Sequence, residues 1–407
     1  MAYHDSDIPS PKTHLHTLLP GIPDSIMDVR ATISEDHLMN ATHIIFDYIN
    51  QLCTLASLHD HASSQTLKSL LETAKTIQIF KTGGNCPWNH YERRTSDSSE
   101  WSVYDEIMVC VVSECLLANQ ITFGTLSKQR RAEMTDDKWK KSHNLLKLSF
   151  TLLNSFRPLV EDTPAASHKV HINYAYHSNT ILTQFIVIMK NLYQTSDQVD
   201  SQFGVFDKLP SNVGTYRKII IFIYNEYSVL GSIGQTSYLT YIHFLEIIYC
   251  YYSAVMYYKN NELGIALGLV QYGLLNAVEN NPIKSKLKIW KKKNQVNTKG
   301  KLKEGKLLDD KVHLSRQFTK DFPPLYQSIL VVVSRLLEIL YFKFSKMNEI
   351  ISFSHIVEPS EIQAKYLFKS SDLPAGLQVP PSGVDSFIPD CIQTEGSSSA
   401  LPARNYF

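Results

Sequence analysis

Three histidine pairs are the residues whose spacing first suggests chemistry: His14-x-His16, His59-x-His61 and His168-x-x-His171. Imidazoles so close could begin a zinc site, but zinc needs three or four converging ligands. No pair is joined by cysteines or carboxylates at ligand spacing. Isolated surface histidines, and no metal, are therefore expected. The six cysteines, Cys53, Cys86, Cys110, Cys115, Cys250 and Cys391, contain no C-x-x-C pair. Cys110 and Cys115 lie in an apolar run and read as unreactive core thiols. G-x-S-x-G, H-E-x-x-H and P-loop patterns do not occur. No catalytic residue and no cofactor is assigned.

Charge is a second source of chemistry. The chain has 407 residues and a net charge of +1. Residues 284–306 hold ten lysines and one glutamate, so a basic segment interrupts a mildly acidic body. Lys291, Lys292 and Lys293 are its densest run. Such a segment is either a solvated loop or a contact for anionic lipid, where each lysine contributes ~1 kcal/mol. Trp290 is its one aromatic residue, too little for base stacking, and nucleic acid is not expected. The polar amino terminus carries no apolar run, and a cytosolic, reducing compartment fits the cysteine usage.

The elements that must position these residues are mostly helices. Residues before about Ser34 look irregular, with Pro9, Pro11, Pro20 and Pro23. Thr32-x-x-Glu35 has the form of a capping box, followed by Leu38, Ile45, Ile49 and Leu52 at helical spacing. Leu67 to Ile77 predicts a second helix, and Lys81 to Ser99 a long loop. Tyr104 to Cys115 predicts a third, and Trp139 to Phe156 a fourth that stops near Pro158. Ile181 to Tyr193 and Tyr216 to Leu230 are two more. Ile329, Val333, Leu336, Leu340, Phe344, Met347 and Ile351 predict one long helix. Pro and Ser accumulate from Glu358, and residues 391–407 read as a frayed tail.

The stretch Tyr251 to Leu275 is nearly free of charge, yet Lys259, Asn260, Asn261 and Glu262 interrupt it. A membrane span needs ~20 mainly apolar residues. Two packed helices with a turn at Lys259-Asn260-Asn261 are predicted instead. Gly264 and Gly268, one turn apart, have the spacing that lets two helix backbones approach.

This pair, the lysine segment and the long helix lead into Lys346-x-Asn348-x-x-Ile351-x-Phe353-x-x-Ile356-Val357, then Leu373-Pro374-Ala375-Gly376. That order resembles the Bro1-domain family, from about Tyr216 to Pro380. The family's arginine after the glycine is Leu377 here. The resemblance implies an all-α, boomerang-shaped domain over residues 1–390, with a tetratricopeptide-like middle and a small amino-terminal sheet. It implies an adaptor rather than an enzyme, with an apolar groove for the C-terminal amphipathic helix of an ESCRT-III subunit. Short members act in fungal ambient-pH signalling, beside a calpain-like protease. By position, Phe185, Ile188, Ile219 and Ile223 match the helices carrying that groove. Large aliphatics are also the usual content of a core. The competing class is a generic helical scaffold whose basic loop meets membrane or nucleic acid.

Overall fold

The computed structural model describes residues 8–12, 17–33, 42–59, 66–82, 86–91, 100–128, 134–161, 166–201, 209–234, 238–278, 313–319, 322–368 and 386–392. Of these, 79% are helical, so the fold is all-α with small sheets. The chain divides into two compact units: residues 1–183 with 378–407, and residues 184–377.

The first unit holds every paired strand among the described residues. Strands β1 (Ser10–Pro11) and β4 (Trp88–Asn89) pair antiparallel, and β2 (Thr17–Leu18), β3 (Gln78–Lys81) and β5 (Glu100–Ser102) form a second antiparallel sheet. The strands bring Phe80, Trp88 and Trp101 into the core. Three expectations are corrected here. The residues before Ser34 include strands and a helix, α1 (Asp24–Thr32), and the expected loop over 81–99 contains β4. Thr32 ends α1 and does not open a helix; its hydroxyl donates to the Val29 carbonyl at 2.6 Å. Glu35 and Leu38 lie outside the described residues.

Helices α2 (Thr42–Leu58) and α3 (Leu67–Thr76) follow. In α3, Thr66 and Ser69 exchange side-chain-to-backbone bonds and satisfy two amides that the first turn leaves open. Helix α4 (Val103–Lys128) is buried without interruption from Val103 to Ala118. Its start is fixed by a reciprocal cap: Ser102 Oγ accepts from the Asp105 amide, and Asp105 Oδ2 accepts from the Ser102 amide. Helix α5 (Asp136–Glu161) runs through Pro158 instead of stopping there. Proline removes one amide donor, so α5 forgoes the single bond from residue 158 back to the Asn154 carbonyl, and the helix ends within one turn of it. Phe387 seats its ring against Phe46 and Phe156, and its amide donates to Ser155 Oγ at 2.7 Å. Cys391 and Ile392, within the expected tail, pack on the same core.

Helix α6 (Ala166–Ser201) contains the division between the units. The second unit continues with α7 (Val213–Gly234), α8 (Leu239–Lys259), α9 (Leu263–Ala277) and α10 (Pro324–Met347). The expected turn between α8 and α9 is present. Asn261 adopts φ +63°, a conformation asparagine tolerates, and the Glu262 amide donates to the Tyr257 carbonyl at 2.9 Å. Pro324 occupies the first turn of α10, where its missing N–H costs nothing. The predicted long helix remains α-helical to Met347 and then widens into a π-turn, Asn348–Ser352. Beyond it, Pro359–Glu361 is helical and continues as a π-turn to Tyr366.

Candidate partner-binding site

Alternate turns of α6 and α7 decide which predicted contact residues are accessible. Phe185 is buried, with its ring 5.5 Å from Phe244 and 5.1 Å from Tyr326. Ile188, one turn on, is also buried, and Asn191 accepts from the Tyr252 hydroxyl at 2.8 Å. On α7, Ile220, Ile223, Tyr227 and Leu230 form the buried stripe. As free surface anchors, Phe185, Ile188 and Ile223 are therefore corrected: they belong to the core, because residues three and four apart share the inward face. Ile219 is half-buried, and on α6 Val187 is 39% exposed. The run Ile219–Ile223 covers both classes, which is why its aliphatic content exceeds one stripe.

The segment carrying the family resemblance has a definite geometry. Phe353 N donates to Asn348 O at 2.8 Å, closing the π-turn. Asn348 Oδ1 accepts from Ser354 N at 2.8 Å, and its Nδ2 donates to Ser354 O at 3.0 Å. One side chain thus satisfies both backbone groups of Ser354 and holds Phe353 at φ +48°. The chain then lies on α9. A Cβ at Gly264 would stand 2.1 Å from His355 O, and one at Gly268 would stand 2.6 Å from Val357 O. Val357 N donates to Gly264 O at 3.3 Å. Gly264 and Gly268 therefore admit a non-helical segment, not the partner helix that their spacing suggested. Helix-to-helix approach falls to Gly273, where an added Cβ would meet Leu337 Cδ1 at 2.9 Å and Cys250 Cβ at 3.3 Å. Phe353 is 78% exposed, beside Ile350 and Ile351.

The titratable groups of the first unit are placed differently from the expectation of surface histidines. His168 is buried, with Nε2 hydrogen-bonded to Asp105 Oδ1 at 2.8 Å and Nδ1 hydrogen-bonded to the Tyr91 hydroxyl. Tyr91 also stacks on His171 at 4.2 Å. Glu106 accepts from Arg30 Nε at 2.7 Å, Trp88 Nε1 at 2.7 Å, Trp101 Nε1 at 2.8 Å and the Tyr48 hydroxyl at 3.2 Å. Arg30 also donates to the Lys12 and Pro87 carbonyls. Burial, then the Glu106 charge, pushes the Tyr48 phenol well up. These are satisfied internal networks that tie strands, α1, α2 and α4 together. Their one signal in the sequence was acid inside an apolar run, Asp105-Glu106 before Ile107-Met108-Val109.

Burial raises the Cys110 and Cys115 thiols, consistent with inert core positions. Among the described residues no three of His, Cys, Asp and Glu converge as metal ligands. His14, His16 and His61, the residues Lys291, Lys292 and Lys293, and the Leu373–Gly376 turn with Leu377 lie outside the described residues.

A family model matches residues 101–407; the family is described as one of unknown function, DUF5355. No curated protein matches the chain. Among solved structures, one of a Bro1 domain, reported as the basis for endosomal targeting by that domain, is similar at 12% identity and TM-score 0.44. It covers 83% of this chain and 79% of its own.

Proposed function

This chain belongs to the family of unknown function DUF5355, and for it we propose the role of a non-enzymatic adaptor built on a Bro1-like domain over residues 1–390. The observation that carries the reading is the turn after α10. Lys346, Asn348, Ile351, Phe353 and Ile356-Val357 occupy the positions of the Bro1-domain pattern. Asn348 has a structural reason to stand there, since it closes the turn that lays His355–Val357 onto α9. The small sheets over residues 10–102 agree with what the Bro1 resemblance implies.

In this reading the chain resembles the PalC/Rim23 group of the fungal ambient-pH pathway. It takes the C-terminal amphipathic helix of an ESCRT-III subunit and supports activation of a zinc-finger transcription factor by a separate calpain-like protease. It works in the cytoplasm, recruited to endosomal or cortical plasma-membrane sites, and its lysine segment assists at anionic membrane. In this reading Ile219 and Val187 supply accessible apolar contacts, while Phe185, Ile188 and Ile223 are buried side chains of the same two helices. An amphipathic helix recognises such a surface through apolar side chains spaced by three or four residues.

Titration with C-terminal peptides of ESCRT-III subunits tests the proposal. Ile219→Asp and Val187→Asp should keep the wild-type melting temperature and lose about thirtyfold or more in affinity, as expected for an anchor worth ~2 kcal/mol. Failure of every such peptide to bind the wild-type chain removes the adaptor reading.

A further inference from the structure

We propose that Arg217 is a receptor for a carboxylate side chain of an acidic peptide. The inference does not depend on the ESCRT-III reading. Arg217 projects from the first turns of α7 onto three residues of α8. Its Nε donates to Ser253 Oγ at 2.9 Å, one terminal nitrogen to Tyr249 Oη at 2.5 Å and the other to Met256 Sδ at 2.6 Å. Ser253 and Tyr249 are buried, while Arg217 keeps partial exposure. The guanidinium lies 5.0 Å from the centre of the Tyr249 ring, whose other neighbour is Phe368.

Every acceptor in this set is neutral. Arg30, the buried guanidinium of the first unit, has Glu106 as counterion. Arg217 has no carboxylate partner among the described residues. Taking a guanidinium partly out of water without an anion is unfavourable. A guanidinium has five N–H groups, and three are engaged, which leaves one on each terminal nitrogen. A carboxylate has two oxygens to accept from such a pair. The three bonds to α8 hold the fork in place before any ligand arrives, which reduces the ordering cost of binding.

Two opposite charges reach the side chain beside the site. Tyr257, half-buried, has its phenol raised by burial, pulled back by Arg217 and raised again by Tyr249, Glu262 and Tyr366; Glu262 is exposed and makes no ion pair with Arg217 among the described residues. Lys218 is exposed and without a carboxylate partner among the described residues, and Lys259, one turn beyond Met256, donates to the Pro210 carbonyl. Tyr257 packs on Tyr366, giving the site an aromatic edge. One carboxylate neutralises one guanidinium there. A phosphate dianion would need a second converging cation, and both lysines point their charge to solvent or to a carbonyl.

The test uses the full chain and two synthetic peptides of otherwise identical sequence, one carrying glutamates and the other glutamines at the same positions. Calorimetric titration should find the glutamate peptide bound about tenfold tighter, the size of a charge-assisted pair. Arg217→Gln should abolish that preference. Arg217→Lys should lose most of it too, because an ammonium keeps the charge but not the fork. Equal affinity of the two peptides for the wild-type chain overturns the proposal, and that comparison stands even if Arg217→Gln fails to fold. Wild-type behaviour of Arg217→Lys overturns it in favour of unspecific attraction. Displacement of the peptide by equimolar inorganic phosphate overturns it in favour of a phosphate site.

Discussion

Glu114 makes a quantitative prediction about stability and pH. It lies on α4, fully buried, and neither carboxylate oxygen has a hydrogen-bond partner. Burial raises its pKa well above the ordinary glutamate value. Consequently the folded chain holds a proton there that the unfolded chain releases above about pH 4.3. The folded state binds more protons, so stability is greatest below the unfolded pKa and falls as pH rises toward the folded one. Each pH unit in that window removes about 1.4 kcal/mol, the linkage for a single proton. Glu114→Gln abolishes the titration while leaving a side chain of the same size. Urea unfolding of both chains should be followed at half-unit steps upward from about pH 4.5 until their difference levels off, which marks the folded-state pKa. Other carboxylates titrate equally in both, so the difference between the two stabilities isolates Glu114. It should grow in favour of Glu114→Gln by about 1.4 kcal/mol per unit. Glu114→Leu should be more stable than wild type at neutral pH by about 1–3 kcal/mol, since an unsatisfied polar group is removed. Parallel stability curves for wild type and Glu114→Gln would refute the reasoning, because they require Glu114 to titrate alike in both states.

Three further outcomes are expected. Gly264→Ala places a Cβ 2.1 Å from a backbone oxygen and should lower stability by about 1–3 kcal/mol, read as a lower melting temperature. Glu106→Ala leaves Arg30 buried without its counterion and two indole N–H groups without an acceptor, a loss of about 3–5 kcal/mol in chemical denaturation. Neutralising Lys291, Lys292 and Lys293 should leave the fold intact and weaken co-sedimentation with anionic vesicles, most strongly at low salt; unchanged binding at low salt makes the segment a passive connector.

Much of the helical order was legible because apolar residues recur with the period of a helix. Ile329 to Met347 and the α8–α9 turn at Asn260-Asn261 are examples. The strands were not, because Ser10–Pro11 and Trp88–Asn89 are two-residue segments that acquire their conformation only by pairing. Pro158 was misleading for a related reason: the sequence marks a missing donor but not how near the helix end it falls.

The candidate site divides the same way. Residue types along α6 and α7 determined that these helices are rich in aliphatics, but not which aliphatics face inward. Phe185, Ile188 and Ile223 became core, and Ile219 stayed partly open, through the rotation of each helix against its neighbours. Gly264 and Gly268 announced a close approach one helical turn apart. What approaches them is the backbone of His355 and Val357, brought from about ninety residues away by the turn that Asn348 closes. His168, read as a surface imidazole, is interior because Asp105 and Tyr91 meet it from distant parts of the chain. Periodicity is a property of neighbouring residues and survives in the sequence. The pairing of a polar or small side chain with its distant partner is a property of packing, and it exists only once the helices are assembled.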